Sequence, residues 1–277
     1  MKQRKNIACK ARYAVTFLVM LFIARNVFAV SHYESFNIYD LVFSVEERGY
    51  DKVKMAGLLV TMEKGEPELP VKVINLIIPR STEVDDIAIT VDQQTMEGHY
   101  FINPSPGPVP VGNIPEPIEP DSAIYNSSNI FPKKCVEVLS HGYFDGTNRI
   151  VSVAIYPVQY IPADRIVKFN RSINFSLSFT SSDPPVAYPK PRTQRRQKKI
   201  ENALKSIVVN DNDISTYVYR SPISKTMDGD DIDFVIIGPS GLESAFSDVI
   251  AWKSRRGLKI KYESLSNIYT NYTSGDN

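Results

Sequence analysis

Apolar residues recur at every second position through much of the chain between residues 31 and 180. The clearest case is the stretch 173–179, in which isoleucine, phenylalanine and leucine alternate with asparagine and serine. A period of two is typical of a strand with one buried and one solvated face. Similar apolar runs predict further strands at residues 36–45, 54–62, 71–78, 87–91, 135–139, 150–156 and 166–169.

Helical periodicity is missing from this part of the sequence, where glycines separate the apolar runs. Several strands without intervening helices favour an antiparallel β-sandwich over a parallel sheet, so the predicted fold is mainly β. Seven prolines lie between Pro104 and Pro120. Proline has no N–H to donate to a sheet, so this stretch is interpreted as an extended surface loop. A recognition segment for a proline-binding partner is the alternative.

The pattern changes after residue 228. A short apolar strand at 234–237 is of the kind that is buried on both faces, and a glycine-rich turn follows it. Ser240 and Glu243 have the spacing of a capping box for a helix, and Gly257 is placed to end that helix. A second strand is predicted at 258–262. The sequence therefore predicts one βαβ unit, too small to bury its own sheet.

The first 29 residues have the features of an export signal. They contain six basic residues and no acidic residue, and an apolar stretch of 12 residues from Tyr13 to Ala24. A membrane-spanning helix needs roughly 20 apolar residues. Val27 and Ala29 supply the small residues of a cleavage site, so we predict a signal peptide cleaved after Ala29. An uncleaved N-terminal anchor is the alternative.

Removal of that signal changes the charge balance. The whole chain has 32 basic and 31 acidic residues, and loss of the six basic residues leaves 26 against 31. An acidic exported protein lacks the basic surface on which nucleic-acid binding depends, so no nucleic-acid partner is expected. Cys9 lies within the signal, so Cys135 is the only cysteine left and no intramolecular disulfide is expected.

A proline-rich and then strongly basic stretch, residues 184–199, separates the two patterns (PPVAYPKPRTQRRQKK). Like charges repel one another and keep such a run solvated, which predicts a linker over 183–231. Exposed paired basic residues suit trypsin-like cleavage. The candidate processing residues are Arg195, Arg196, Lys198 and Lys199. A plain solvated linker and binding to an anionic surface are the alternatives.

Two apparent ligand sites do not satisfy their motifs. Gly238 and Gly241 lie between a strand and a helix, but the third glycine of a dinucleotide fingerprint and the lysine of a P-loop are missing. We interpret the pair as a turn. Acidic residues at 228, 230, 231 and 233 suggest calcium, but an EF-hand beginning at Asp228 would need glutamate where Pro239 stands. A solvated acidic linker is the simpler interpretation, with a looser calcium site as the alternative.

Cys135 and His141 are the residue types of a cysteine-peptidase dyad. They lie only six residues apart in the strand-rich part, and no acid or amide follows that would orient the imidazole. His32 and His99 show no metal-ligand spacing. No active site, metal site or cofactor is therefore expected in this chain.

Three groups of residues resemble a known family. Residues 65–71 (GEPELPV), followed by 77–79 (IIP), resemble the G-x-P-x-L-P-V…I-x-I-P signature of the propeptides of gingipain-type cysteine peptidases. Residues 156–162 (YPVQYIP) resemble a turn of the same propeptides. Residues 233–237 (DFVII), 252–257 (WKSRRG) and 268–272 (IYTNY) resemble the opening of the gingipain catalytic domain, in the family's order.

The resemblance implies a secreted zymogen. In that family a β-sandwich propeptide keeps the enzyme latent, assists its folding and is removed at basic residues. The catalytic domain has a caspase-like α/β fold with a cysteine nucleophile and a histidine base, both beyond its first βαβ unit. His141 cannot replace that histidine, because it follows Cys135 instead of preceding it. We therefore expect the catalytic dyad to be missing and this polypeptide to be inactive.

The predicted organisation has four parts: a signal peptide at 1–29, a β-sandwich propeptide-like domain at 31–182, the basic linker at 183–231, and the truncated start of a caspase-like α/β domain at 232–277. The expected partner is a cognate peptidase catalytic domain, in the same chain or in trans. The expected location is secreted or cell-surface, with membrane contact only through the signal. The alternative is an exported β-sandwich adhesion or carbohydrate-binding module that uses Tyr143 and Phe144.

Overall fold

The computed structural model describes residues 29–46, 48–113, 116–181, 194–220 and 232–271. Most of the predicted signal peptide and much of the predicted linker lie outside the described residues. The strands are β1 (Ala29–Ser35), β2 (Leu41–Val45), β3 (Asp51–Met55), β4 (Leu59–Val60), β5 (Pro70–Ile78), β6 (Thr82–Thr95), β7 (Val136–Tyr143), β8 (Arg149–Ile155), β9 (Val158–Ile161), β10 (Ile166–Ser181), β11 (Phe234–Gly238) and β12 (Ile260–Ser264). The helices are α1 (Ser122–Tyr125), α2 (Gln194–Ile207), α3 (Ile214–Tyr217), α4 (Ser247–Arg255) and α5 (Leu265–Asn271).

Two four-stranded antiparallel sheets and the β2–β3 hairpin form the β body, by which we mean residues 29–181. One sheet has the order β1-β10-β6, with β9 paired to the start of β10, and the other has the order β4-β5-β8-β7. Apolar side chains of both sheets form a common core: Val30, Ile74, Leu76, Ile78, Val136, Val151, Val153, Ile155, Ile173, Phe175 and Leu177. The prediction of a mainly β, antiparallel fold is confirmed.

The sequence predicts separate strands at 166–169 and 173–179, but both belong to the longest strand, β10. The structure has a single strand of 16 residues with a register shift between Asn170 and Ser172. Asn170 is fully buried, donates to the carbonyl of Tyr156 (2.9 Å) and accepts from Gln93 (2.7 Å). Because these bonds satisfy the buried amide, the strand continues through a bulge.

The N-terminal strands also differ from the prediction. Strand β2 starts at Leu41, because the side chain of Asn37 accepts a hydrogen bond from the Tyr39 amide (3.1 Å) and caps a 3-10 turn. The predicted strand 54–62 is divided at Gly57, whose φ of +75° forms a turn. The β2–β3 hairpin covers a second core that includes Val53, Leu69, Ile102, Tyr160 and Phe169.

Both ends of the proline-rich stretch are held at Gly65. The Gly65 amide donates to the carbonyl of Ser105, and the Gly65 carbonyl accepts from the amide of Asp121, each at 2.9 Å. The φ of Gly65 is +82°, in the left-handed region that favours glycine. The first residue of the G-x-P-x-L-P-V motif thus fixes the loop that the prolines form.

The predicted linker contains a helix, α2, which its basic, proline-rich composition did not predict. Ile200, Leu204 and Val208 lie at i, i+4 and i+8 and are buried against Ile77, on the outer face of β5. Ile214 and Val218 join the same cluster. The basic residues that precede this apolar stripe dominate the composition, so the stretch was interpreted as solvated. We call residues 200–219 the docked segment.

The docked segment also satisfies the free edge of β5. Strand β4 pairs only with Pro70 and Val71 of β5. Further along, Ile77 donates to the side-chain oxygen of Asn210 and accepts from its amide nitrogen, both at 2.9 Å. The amide of Val209 donates to the carbonyl of Asn75 (2.9 Å). Asn210 therefore takes the place of a neighbouring strand at this point.

The α/β unit, residues 232–271, contains the predicted strand–helix–strand. Strands β11 and β12 pair in parallel, and Gly257, with φ +78°, ends α4 as predicted. The capping box is wrong, because Ser240 hydrogen-bonds Ser266 and α4 begins only at Ser247, after a 3-10 turn.

Strand β11 is also less buried than its apolar sequence suggests. Val235 is 49% and Ile237 59% exposed in the described chain. Across the described ranges, no helix is long and apolar enough to cross a membrane.

We expect Asn210→Ala to lower the free energy of unfolding by about 1–3 kcal/mol, because it leaves the buried N–H and C=O of Ile77 without partners. Urea unfolding of the purified chain measures the change. The control is Asn212→Ala, an exposed neighbour, for which we expect a change within about 0.5 kcal/mol. Equal stabilities for the two variants would contradict the role given to Asn210.

Candidate processing site at the basic helix

The four candidate processing residues lie in the N-terminal half of α2, within a regular helix. Arg195 is half-buried, whereas Arg196, Lys198 and Lys199 are exposed. The sequence predicted a flexible segment here. Cleavage is favoured where the backbone is extended and exposed, so the first turns of α2 must unwind before a trypsin-like peptidase can act on them.

A single carboxylate, that of Asp233, holds two of these residues. Its oxygens lie 3.5 Å from a guanidinium nitrogen of Arg195 and 3.2 Å from the ammonium of Lys199. The backbone amide of Lys259 also donates to Asp233 (3.0 Å), and Arg195 donates to the carbonyl of Gly257 (3.3 Å). The Asp233 side chain is only 4% exposed. The start of α2 is thereby joined to the α/β unit.

Electrostatics explains why this carboxylate matters to α2. The first turn of the helix carries basic residues and no acid, although the partial positive charge of a helix N-terminus favours acids there. Arg195 and Lys199 are also like charges at i and i+4, which destabilise a helix. Asp233 lies against both cations and offsets these two effects.

The same contacts lower the pKa of the Asp233 carboxyl. The largest cause is the hydrogen bond from the Lys259 amide, and the charges of Lys199 and Arg195 act in the same direction against the opposing effect of burial. A carboxyl whose pKa is lowered by folding contributes stability above its ordinary value of 3.8. That contribution is lost as the pH falls below this value.

The cysteine and histidine considered for a dyad are kept apart. Cys135 is buried (6% exposed), and burial raises the pKa of its thiol. His141 lies six positions further on, exposed on β7. At about 3.3 Å per residue, an extended strand separates the two by about 20 Å. A nucleophile and its base must be within hydrogen-bond reach, so the pair does not form a dyad.

Packing explains the glycine that ends β11, and turn geometry explains the one in the turn that follows. A Cβ at position 238 would meet the hydroxyl of Tyr262, which donates to the carbonyl of Pro239 (2.8 Å). Gly241 has a φ of +90°, which suits a tight turn. These contacts support the interpretation of a turn over that of a phosphate site.

The acidic run lies largely beyond what the structure shows. Asp228, Asp230 and Asp231 are outside the described residues, and Asp233 is engaged with Arg195 and Lys199. Within the described ranges, no three His, Cys, Asp or Glu side chains are grouped so that they could hold a metal ion.

The aromatic pair considered for carbohydrate binding is partly engaged within the protein. The guanidinium of Arg149 lies 4.8 Å from the centre of the Tyr143 ring. Phe144 is 40% exposed. One of the two rings therefore already has a cation against its face.

Sequence reasoning did not identify two residues that matter here. Asp233 is the counter-ion of the basic helix, and Asn210 bonds the edge of β5. Asp233 lies 34 positions from Lys199, and Asn210 lies 133 positions from Ile77. Only the spacing of Ile200, Leu204 and Val208 was a usable signal, since it marks a buried helical stripe.

We expect the native Cys135 thiol to react with an aromatic disulfide reagent about 100-fold more slowly than the same thiol in urea, because the thiolate is the reactive form and the native side chain is buried. A Cys9→Ser chain makes Cys135 the only thiol, and absorbance of the released product gives the rate. Equal rates in the two states would contradict a buried, unreactive cysteine.

We expect Asp233→Asn to accelerate trypsin cleavage within residues 195–199 about 5-fold at neutral pH, because loss of about 1 kcal/mol of charge pairing lets the start of α2 unwind. Mass spectrometry of timed digests locates the cuts and gives the rates. The control, Glu263→Gln, removes a carboxylate that pairs with Lys261 inside the α/β unit (2.8 Å). A similar acceleration in both variants would contradict the role of Asp233.

Comparison with known proteins identifies the family of the chain. The Propeptide_C25 family model matches residues 34–218, which include α2 and α3 as well as most of the β body. The solved complex of the pro- and mature domains of RgpB from Porphyromonas gingivalis matches with a TM-score of 0.54 and 19% identity, over 66% of this chain and 93% of that chain. This likeness shows the fold.

A structure of gingipain K from Porphyromonas gingivalis, on its zymogenic latency, matches with a TM-score of 0.43 and 22% identity, over 56% of this chain and 88% of that chain. No curated protein matches the chain. The family match covers well over half of the sequence. The chain therefore belongs to the Propeptide_C25 family, the propeptides of gingipain-type peptidase precursors.

Proposed function

We propose that this chain is the N-terminal part of a secreted gingipain-like cysteine endopeptidase zymogen, whose propeptide keeps a catalytic domain latent and assists its folding. The observation that carries the proposal is the family match over residues 34–218, on a chain in which a parallel strand–helix–strand unit follows the propeptide. The α/β unit is the start of a caspase-like catalytic domain in this proposal.

The RgpB structure supports the choice of partner, because it is a complex of pro- and mature domains. A propeptide acts on a catalytic domain by occupying surface that the substrate needs, which requires a rigid scaffold. The β body supplies one, since its sheets enclose a core of fully buried residues. The partner is a cognate gingipain-type catalytic domain, in the same polypeptide or in trans.

The polypeptide itself does not hydrolyse peptides in this proposal. Cys135 is buried, its pKa is raised, and His141 lies outside hydrogen-bond reach of it. Residues 1–29 direct export to the cell surface or beyond. N-terminal sequencing of exported material tests this step, with Val30 as the expected first residue.

We expect the purified chain to inhibit gingipain-type catalytic domains from its own source organism at micromolar concentration or below, because a folded propeptide blocks substrate access. The measurement is a titration against a peptide substrate. Electrophoresis of the same samples must show that the chain stays intact. A chain that the peptidase digests would lower the signal as a competing substrate and not as an inhibitor.

The matched control is Val153→Asp, which places a charge in the fully buried centre of β8 and unfolds the body. Inhibition by this variant at the wild-type level, or none by the wild type, would contradict the proposal. So would thiol-dependent peptide cleavage by the chain alone that Cys135→Ala abolishes.

A further inference from the structure

The two halves of α2 have different partners. Arg195 and Lys199, in the first half, contact Asp233 and Gly257 of the α/β unit through polar groups. The apolar stripe that continues through the second half starts at Ile200, which is buried against Ile77 of the β body. The candidate processing residues therefore lie on the N-terminal side of the point where the chain enters the propeptide core.

The docked segment is bound to the β body by apolar packing. Five of its side chains are less than a tenth exposed: Ile200, Leu204, Val208, Ile214 and Val218. They cover Ile77 of β5 and the partly buried Ile150 of β8. These two residues face away from the main core, so the docked segment forms a third layer on the sheet.

Hydrogen bonds fix the docked segment at its middle and at its C-terminal end. Asn210 makes two bonds to the backbone of Ile77, and the amide of Tyr219 donates to the side-chain oxygen of Asn148 (2.7 Å). The guanidinium of Arg80 lies 4.5 Å from the centre of the Tyr219 ring. Every one of these partners belongs to the β body, so the attachment does not depend on chain continuity through residues 195–199.

We propose that the docked segment keeps the α/β unit attached to the propeptide after the basic run has been cut. This inference rests on the proposed function, in which residues 195–199 are processed. Cleavage there leaves the docked segment covalently joined to the α/β unit and noncovalently bound to the β body. The cut chain stays assembled, and cleavage in the basic run does not by itself release the propeptide.

The test replaces residues 193–199 with the recognition sequence of a site-specific peptidase in the otherwise complete chain. The replacement also removes Arg195 and Lys199, so the contacts with Asp233 no longer contribute to the attachment. After cutting at micromolar concentration, we expect both fragments to elute together in size-exclusion chromatography at the mass of the uncut chain. Separation of the fragments under native conditions would overturn the proposal.

Variants in the same background locate the attachment. We expect Leu204→Asp to raise the dissociation constant of the fragments at least about 100-fold, because it puts a charge into the buried cluster. The matched control is Lys205→Asp, on the exposed side of α2, with an expected change below about 3-fold. Equal effects of the two substitutions would overturn the proposal.

Asn210→Ala is the milder variant if Leu204→Asp prevents folding, and we expect it to raise the dissociation constant roughly 10-fold. Circular dichroism of each uncut variant shows whether it has folded. Unchanged binding in a folded Asn210→Ala chain would count against the attachment described here. The co-elution test contains no gingipain-type catalytic domain, so its failure is distinguishable from a failure of inhibition, which concerns the proposed function.

Discussion

The β body depends on one strand, β10, which runs through both of its cores. Phe169 contributes to the core under the β2–β3 hairpin, whereas Ile173, Phe175 and Leu177 contribute to the core between the two sheets. Strand β10 pairs with β1, β6 and β9 along its length. A break in this strand would separate the two cores, and so the buried bulge at Asn170 must be fully hydrogen-bonded.

The alternation of apolar and polar residues predicted those strands whose buried face follows a regular period of two. Ile173, Phe175 and Leu177 follow a period of two and are buried as expected. The bulge at Asn170 could not be predicted, because its polarity is that of a turn residue and its partner Gln93 lies 77 positions away. The failed capping box at Ser240 has the same origin, since the competing hydrogen bond comes from Ser266 in α5.

The sequence identified the basic residues of α2 by their charge, but their environment depends on distant residues. Asp233 forms ion pairs with both Arg195 and Lys199, and no local pattern marks Asp233 for that role. The resemblance motifs were more informative. Gly65 begins one of them, and the structure shows that the glycine joins the two ends of the proline-rich loop.

The bridge between Asn210 and Ile77 has a consequence for the growing polypeptide. Unpaired strand edges are templates for association between chains. The two partners are separated by 133 residues, which take roughly 7–27 s to synthesise at about 5–20 residues per second. Until Asn210 has been made, this part of the β5 edge has no partner within its own chain and is open to binding by chaperones or by other nascent chains.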